Sequence, residues 1–124
     1  LGKTLQTITM LASLYPGEKK QSLIIMPKSL LFNWAQELQK FAPQISFYTY
    51  YGGNRDWDKA DNADVILTTY SVLRNDIEEL REKDFHMVVL ILRVLLLNQL
   101  YNLHLLILLK VICILISFYK LNNL

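Results

Sequence analysis

Cysteine occurs once, at Cys113, which excludes disulfides within the chain and cysteine-built zinc sites and makes a reducing compartment the default. Strong charge of either sign is also missing. A formal net charge of +2 is too mild to imply a nucleic-acid partner by itself. No charged segment followed by an apolar stretch and a small-residue cleavage site opens the sequence, so no secretory signal is expected. No internal repeat is present. Acid is absent from the last third: all eleven Asp and Glu lie between Glu18 and Asp84. Residues 91–124 contain no Gly, Pro, Ala or Thr either, while thirteen of those thirty-four positions are Leu. That marks a biased segment rather than a continuation of what precedes it.

Residues 1–90 carry ten Lys and Arg against eleven Asp and Glu and have the composition of an ordinary α/β domain. A chain of 124 residues accommodates one small domain, or part of one. From Thr4 to Leu14, apolar residues recur at Leu5, Ile8, Leu11, Ala12 and Leu14, which is helical spacing, and Tyr15-Pro16-Gly17 stops the run. Glu18 to Gln21 reads as a solvated turn. Ser22 to Met26, closed by Pro27, reads as a buried strand. Ser29 to Phe41 places Leu30, Leu31, Trp34, Leu38 and Phe41 on one stripe of a helix that ends before Pro43.

Ile45 to Tyr51 is a strand by propensity, and Gly52-Gly53-Asn54 turns the chain out of it. Residues 55–63 are polar and carry no clear pattern. Asp64 to Thr69 is a third strand, and Tyr70 to Lys83 a helix with Val72, Leu73, Ile77 and Leu80 inward. Asp76, Glu78, Glu79, Glu82 and Asp84 read as its solvated face. Phe85 to Leu90 is a fourth strand, with His86 a packing residue on it. Continuous apolar strands alternating with helical connections imply an α/β fold with a parallel sheet covered on both faces. Ligands of such sheets bind outside the carboxyl ends of the strands, where residues 2–4, 27–29 and 68–70 are expected.

Gly2-Lys3-Thr4 at the head of a helix is the back half of a phosphate-binding loop, in which Lys reaches the β/γ-phosphates and Thr ligates Mg²⁺. The glycine that opens the full pattern would precede Leu1. Several stretches together resemble the N-terminal RecA-like lobe of the Swi/Snf-related ATPases, the DNA-translocase branch of helicase superfamily two. Leu1 to Ile8 is similar to motif I. Leu23-Ile24-Ile25-Met26-Pro27-Lys28-Ser29-Leu30-Leu31-Phe32-Asn33-Trp34, continuing through Glu37 to Lys40-Phe41, resembles motif Ia, and is more specific than the glycine loop. Tyr51-Gly52-Gly53 and Asp64 to Tyr70 follow in the family's order.

The resemblance implies a three-layer P-loop lobe over residues 1–90, with Gly2, Lys3 and Thr4 binding ATP and Thr4 its Mg²⁺. It places Lys28, Ser29, Thr68 and Thr69 against the backbone of double-stranded DNA, with little sequence readout. ATP is the one small-molecule substrate it implies. Trp34 and Trp57 are expected to pack rather than stack on bases. A nuclear location follows for a eukaryotic member, a cytoplasmic or nucleoid-associated one for a bacterial member.

The pattern breaks after Leu90. The motif II Asp-Glu that should follow is replaced by Ile91-Leu92-Arg93, so no catalytic carboxylate of that motif is present. The second lobe and its arginine finger are not in the chain either. The change of composition at the same point suggests a reading-frame shift in an A/T-rich gene, giving an aberrant, helical, Leu-rich tail over 91–124. A rival reading makes Leu100 to Tyr119 a membrane span. Lys110 at its centre costs about 3 kcal/mol, which Leu and Ile at about −0.5 kcal/mol each can offset. A membrane partner is nevertheless not the expectation. His104 and Cys113 stand alone among apolar residues and make no metal site. Three functions thus stand side by side: a fragment of an ATP-dependent DNA translocase inactive as a hydrolase, a non-catalytic nucleotide- or DNA-binding remnant, and a small membrane-associated protein.

Overall fold

The computed structural model describes residues 2–91, with the side chains of Gly2 and Lys3 left out. The expectations for the Leu-rich tail, including the membrane span, His104 and Cys113, lie outside the described residues. Four strands form one parallel sheet: β1 (Ser22–Met26), β2 (Phe47–Thr49), β3 (Val65–Thr69) and β4 (Met87–Leu90), in the order β2-β3-β1-β4. Five helices connect them: α1 (Gly2–Leu14), α2 (Lys28–Phe41), α3 (Trp57–Ala60), α4 (Tyr70–Asn75) and α5 (Ile77–Arg81).

The alternation of side chains along a strand sorts the apolar runs onto two faces. Ile24 and Met26 of β1 and Val65 and Leu67 of β3 pack with Ile8, Leu11, Leu31, Trp34 and Leu38 of α1 and α2. Leu23, Ile25 and Ile66 point the other way, into Ala60, Val72, Leu73, Leu80 and Phe85. The sheet is therefore the middle of three layers. β1 and β3, central in the sheet, are buried at every residue, which is why Leu23 to Met26 and Val65 to Leu67 are apolar without interruption and why the buried polar residues at their ends, Ser22, Thr68 and Thr69, are hydrogen-bonded.

Five local expectations need correction. The helix expected over 70–83 is two helices, because Asp76 leaves helical geometry at φ −108° and ψ 23°. The unassigned polar stretch contains α3, whose N-cap Asp56 accepts a hydrogen bond from the Asp58 amide at 3.0 Å. Gln21 is not merely in a solvated turn: its Nε2 donates to the carbonyls of Ala60 at 2.6 Å and Ala63 at 2.7 Å, fastening α3 to the start of β1. Leu5 and Phe41, on the apolar stripes of their helices, are 44% and 48% exposed: Leu5 lies in the first turn of α1 and Phe41 is the last residue of α2. His86 precedes β4 instead of sitting on it; its side chain is exposed, with Nδ1 3.4 Å from Glu18 Oε2.

Candidate nucleotide and DNA edge

Because all strands are parallel, their carboxyl ends share one edge of the sheet. Pro27-Lys28-Ser29 follows β1 there, Tyr50 to Asn54 follows β2, Tyr70 follows β3 and Ile91 follows β4. At the opposite end, the Tyr15 hydroxyl after α1 lies 2.8 Å from Ser22 Oγ at the start of β1. α1 thus runs back along the sheet, so its first turn, with Gly2, Lys3 and Thr4, belongs to the same edge as Lys28. Thr4 is half-buried there.

Lys28 and Ser29 are exposed on the first turn of α2, which Pro27 starts without a side-chain cap. The Lys28 ammonium lies 5.7 Å from the centre of the exposed Tyr51 ring, close enough for a cation–π contact that holds the cation at the rim of the edge. Thr68 and Thr69 lie differently. Thr68 is fully buried and its hydroxyl donates to the Tyr50 carbonyl at 2.8 Å. Thr69 is the N-cap of α4, its Oγ1 accepting from the Val72 amide at 3.3 Å and lying 3.2 Å from Ser71 Oγ. Lys28 and Tyr51 thus form the outer surface, and the two threonines fix the backbone behind it.

Tyr51 and a polar cluster behind the Gly52 turn are what sequence reasoning missed. Arg55 forks onto Asp76 with Nε 2.7 Å from Oδ2 and Nη2 2.9 Å from Oδ1, and its Nη1 donates to the Gly52 carbonyl at 2.6 Å. The Tyr50 hydroxyl donates to Asp76 Oδ2 at 2.8 Å. Asp76, expected on a solvated face, is only 13% exposed at its side chain; the ion pair draws it inward. Asp84, by contrast, is exposed and paired with Lys20 at 2.9 Å, and Glu78 is exposed on α5. The hydrogen bond from Arg55 holds the Asp76 carboxyl below its usual range, while burial and the neighbouring carboxylate push the Tyr50 hydroxyl up to about 12. Trp57 packs as expected, its ring 5.3 Å from Tyr50 and 6.4 Å from Phe85.

A lowered carboxyl pKa stabilises the fold above the unfolded-state pKa of about 3.9, and that contribution is lost as pH falls through the lower folded value. Asp76→Asn is therefore expected to lower Tm at about pH 7 and to converge with wild type in acid below both pKa values. Thermal melts across that range check it; a Tm difference that stays constant in acid would remove the pair as its source.

A three-layer arrangement, with one parallel sheet covered by helices on both faces and its strand ends gathered on one edge, is the architecture of the α/β lobes that bind ligands at that edge. The SNF2-related domain family model matches residues 1–91. The chain belongs to that family. It is 39% identical over 95 residues to an uncharacterised ATP-dependent helicase of Mycoplasma genitalium, covering 73% of this chain and 9% of the relative. It is 36% identical over 99 residues to the helicase SWR1 of Yarrowia lipolytica, covering 73% of this chain and 6% of the relative. Among solved structures it is similar to the SWI2/SNF2 ATPase core of Sulfolobus solfataricus in complex with dsDNA. That match has TM-score 0.65 and 41% identity, and covers 73% of this chain and 19% of the other. The lobe is RecA-like, and the chain spans less than a tenth of the length of the curated relatives it matches.

Ile91, where the motif II acid is expected, continues β4: its amide donates to the Ile25 carbonyl at 2.8 Å, and its carbonyl accepts from the Tyr70 hydroxyl. Its side chain packs against the core on the α1 and α2 side. Among the described residues no group of three His, Cys, Asp or Glu could hold a metal. The carboxyl end of β4 thus brings an apolar side chain and no carboxylate, so the described residues there offer no acidic ligand for Mg²⁺.

Proposed function

We propose that residues 1–90 are part of the ATP-binding lobe of a DNA-translocating ATPase, with Gly2, Lys3 and Thr4 on the nucleotide phosphates. Lys28, Ser29 and Tyr51, backed by Thr68 and Thr69, meet the backbone of duplex DNA. The observation that carries the duplex reading is the Lys28 ammonium held over Tyr51 at the exposed rim of the carboxyl edge. The match to an ATPase core in complex with dsDNA supports it. Backbone contact of this kind fixes position on the duplex and carries no sequence information directly.

Residues 91–124 are a tail read from a shifted frame, a proposal that rests on the loss of acidic residues and on Ile91-Leu92-Arg93 standing where Asp-Glu is expected. Sequencing the gene around the Leu90 codon tests it, with Asp-Glu in the adjoining frame as the expected result. An uninterrupted frame on a clean read would sink it.

Duplex binding is tested by fluorescence anisotropy on the full chain over a series of salt concentrations. Lys28→Ala is expected to weaken binding uniformly across DNA sequences and to reduce the magnitude of the salt slope by about 1, the signature of one lost phosphate contact. An unchanged slope would take Lys28 out of the interface. A wild-type chain without measurable duplex affinity would leave the nucleotide-binding remnant as the better reading.

A further inference from the structure

We infer that Arg55 is a positioning residue for the duplex-facing edge: forked onto Asp76 and bonded to the Gly52 carbonyl, it locks the Tyr51–Gly53 turn beside Lys28. The inference rests on the duplex reading above for its consequence, and on geometry alone for the lock. The turn needs one. Gly52 has φ +90°, and a Cβ placed on it would meet nothing within 4 Å, so the glycine answers to backbone conformation and not to crowding. Two successive glycines also make the turn entropically loose. A loose turn would leave Tyr51, and with it the Lys28 ammonium, without a fixed place.

Arg55 supplies the missing constraint from behind. Its three nitrogens are all turned inward, Nε and Nη2 to Asp76 and Nη1 to Gly52, and its guanidinium carbon lies 5.7 Å from the centre of the Tyr50 ring. Asp76 in turn occupies the break between α4 and α5, and α4 is the helix that Thr69 caps. The pair therefore ties the turn after β2 to the helix after β3, two neighbouring strands of the sheet. Lysine keeps the charge but cannot reproduce the fork. Arg55 does not itself reach for phosphate, because its charge is matched by a carboxylate and its side chain is only 27% exposed.

The sign of one substitution separates the lock from plain electrostatics. Asp76→Ala makes the chain more positive by one charge, which on charge alone would tighten binding to a polyanion. The lock demands the opposite: about tenfold weaker binding to a short fluorescein-labelled duplex, the equivalent of one charge-assisted hydrogen bond. Arg55→Lys, which spares the packing, is expected to weaken binding about tenfold with an unchanged salt slope. It should also lower the backbone ¹⁵N order parameters of Gly52, Gly53 and Asn54 from those of rigid backbone to those of a flexible loop. Order parameters of β1 and β3 should match wild type, and Arg81→Lys, altering an exposed pair on α5, should change nothing. Tighter binding by Asp76→Ala, or wild-type order parameters at the turn in Arg55→Lys, would overturn the inference. Should the wild-type chain not bind the duplex, the duplex reading fails. The order parameters of the turn in Arg55→Lys then decide the lock alone: lower values uphold it and unchanged values remove it.

Discussion

Trp34→Ala is expected to lower the unfolding free energy by about 3–5 kcal/mol, enough to remove much of the stability of a small domain. Trp34 is 2% exposed and stands between α2 and the sheet, among Leu11, Leu31, Leu38, Ile24 and Leu67. Truncation removes the indole from the largest side of the core and leaves a cavity that strands and helices already hydrogen-bonded to one another cannot close. A second feature makes the size of the effect informative. The indole Nε1 is buried with no hydrogen-bond partner among the described residues, so wild type already carries the cost of a desolvated donor. Trp34→Phe removes that donor while keeping most of the ring, and should cost well under half of what alanine does. Urea unfolding of the three proteins followed by circular dichroism measures both. A phenylalanine variant as unstable as the alanine one would show that Nε1 is satisfied after all.

The same residue illustrates why the layers were legible in the sequence. Leu30, Leu31, Trp34 and Leu38 recur at helical spacing, and Leu23 to Met26 and Val65 to Leu67 are unbroken apolar runs, so burial on both faces followed from pattern alone. Leu5 and Phe41 obey the pattern yet remain exposed, because periodicity says which side of a helix faces inward and nothing about how fully each turn of it is covered. α3 was hidden for another reason. Four residues are too few to show a period, and its place depends on Gln21 reaching from the start of β1.

At the edge of the sheet the division is similar. Gly2-Lys3-Thr4 and the Pro-Lys-Ser and Thr-Thr-Tyr segments could be named from resemblance, and the parallel sheet gathers the latter two along one side. What their side chains do was not legible. Thr68 turns into the core to hold Tyr50, and Asp76 breaks a helix whose periodicity continues across it, because its partner Arg55 lies on a different segment. A tertiary ion pair leaves no trace in a local pattern, and Arg55 lies in a stretch, residues 55–63, that carries no pattern of its own.

The other large effect concerns catalysis, and it is an expected failure: phosphate release by the full chain, with or without duplex DNA, should stay at the background of ATP alone. Phosphoryl transfer depends on positioning and on stabilising charge in the transition state, so removing the acids that supply both removes most of the rate. β4 reaches the edge in register with β1, Ser22 opposite Met87 through Ile25 opposite Leu90, so the backbone arrives where the family's acids would stand. The side chain it delivers is Ile91, turned into the core. Nothing in the register needs to change for a carboxylate to be there, which locates the defect in residue identity and not in folding. Binding and turnover should consequently separate. A fluorescent ATP analogue is expected to bind the wild-type chain and to bind Lys3→Ala more weakly, while neither hydrolyses ATP. Equal binding by the two would mean that the half-loop is ancestry without function, and DNA-stimulated phosphate release above background would mean that carboxylates elsewhere in the chain have taken over the missing role.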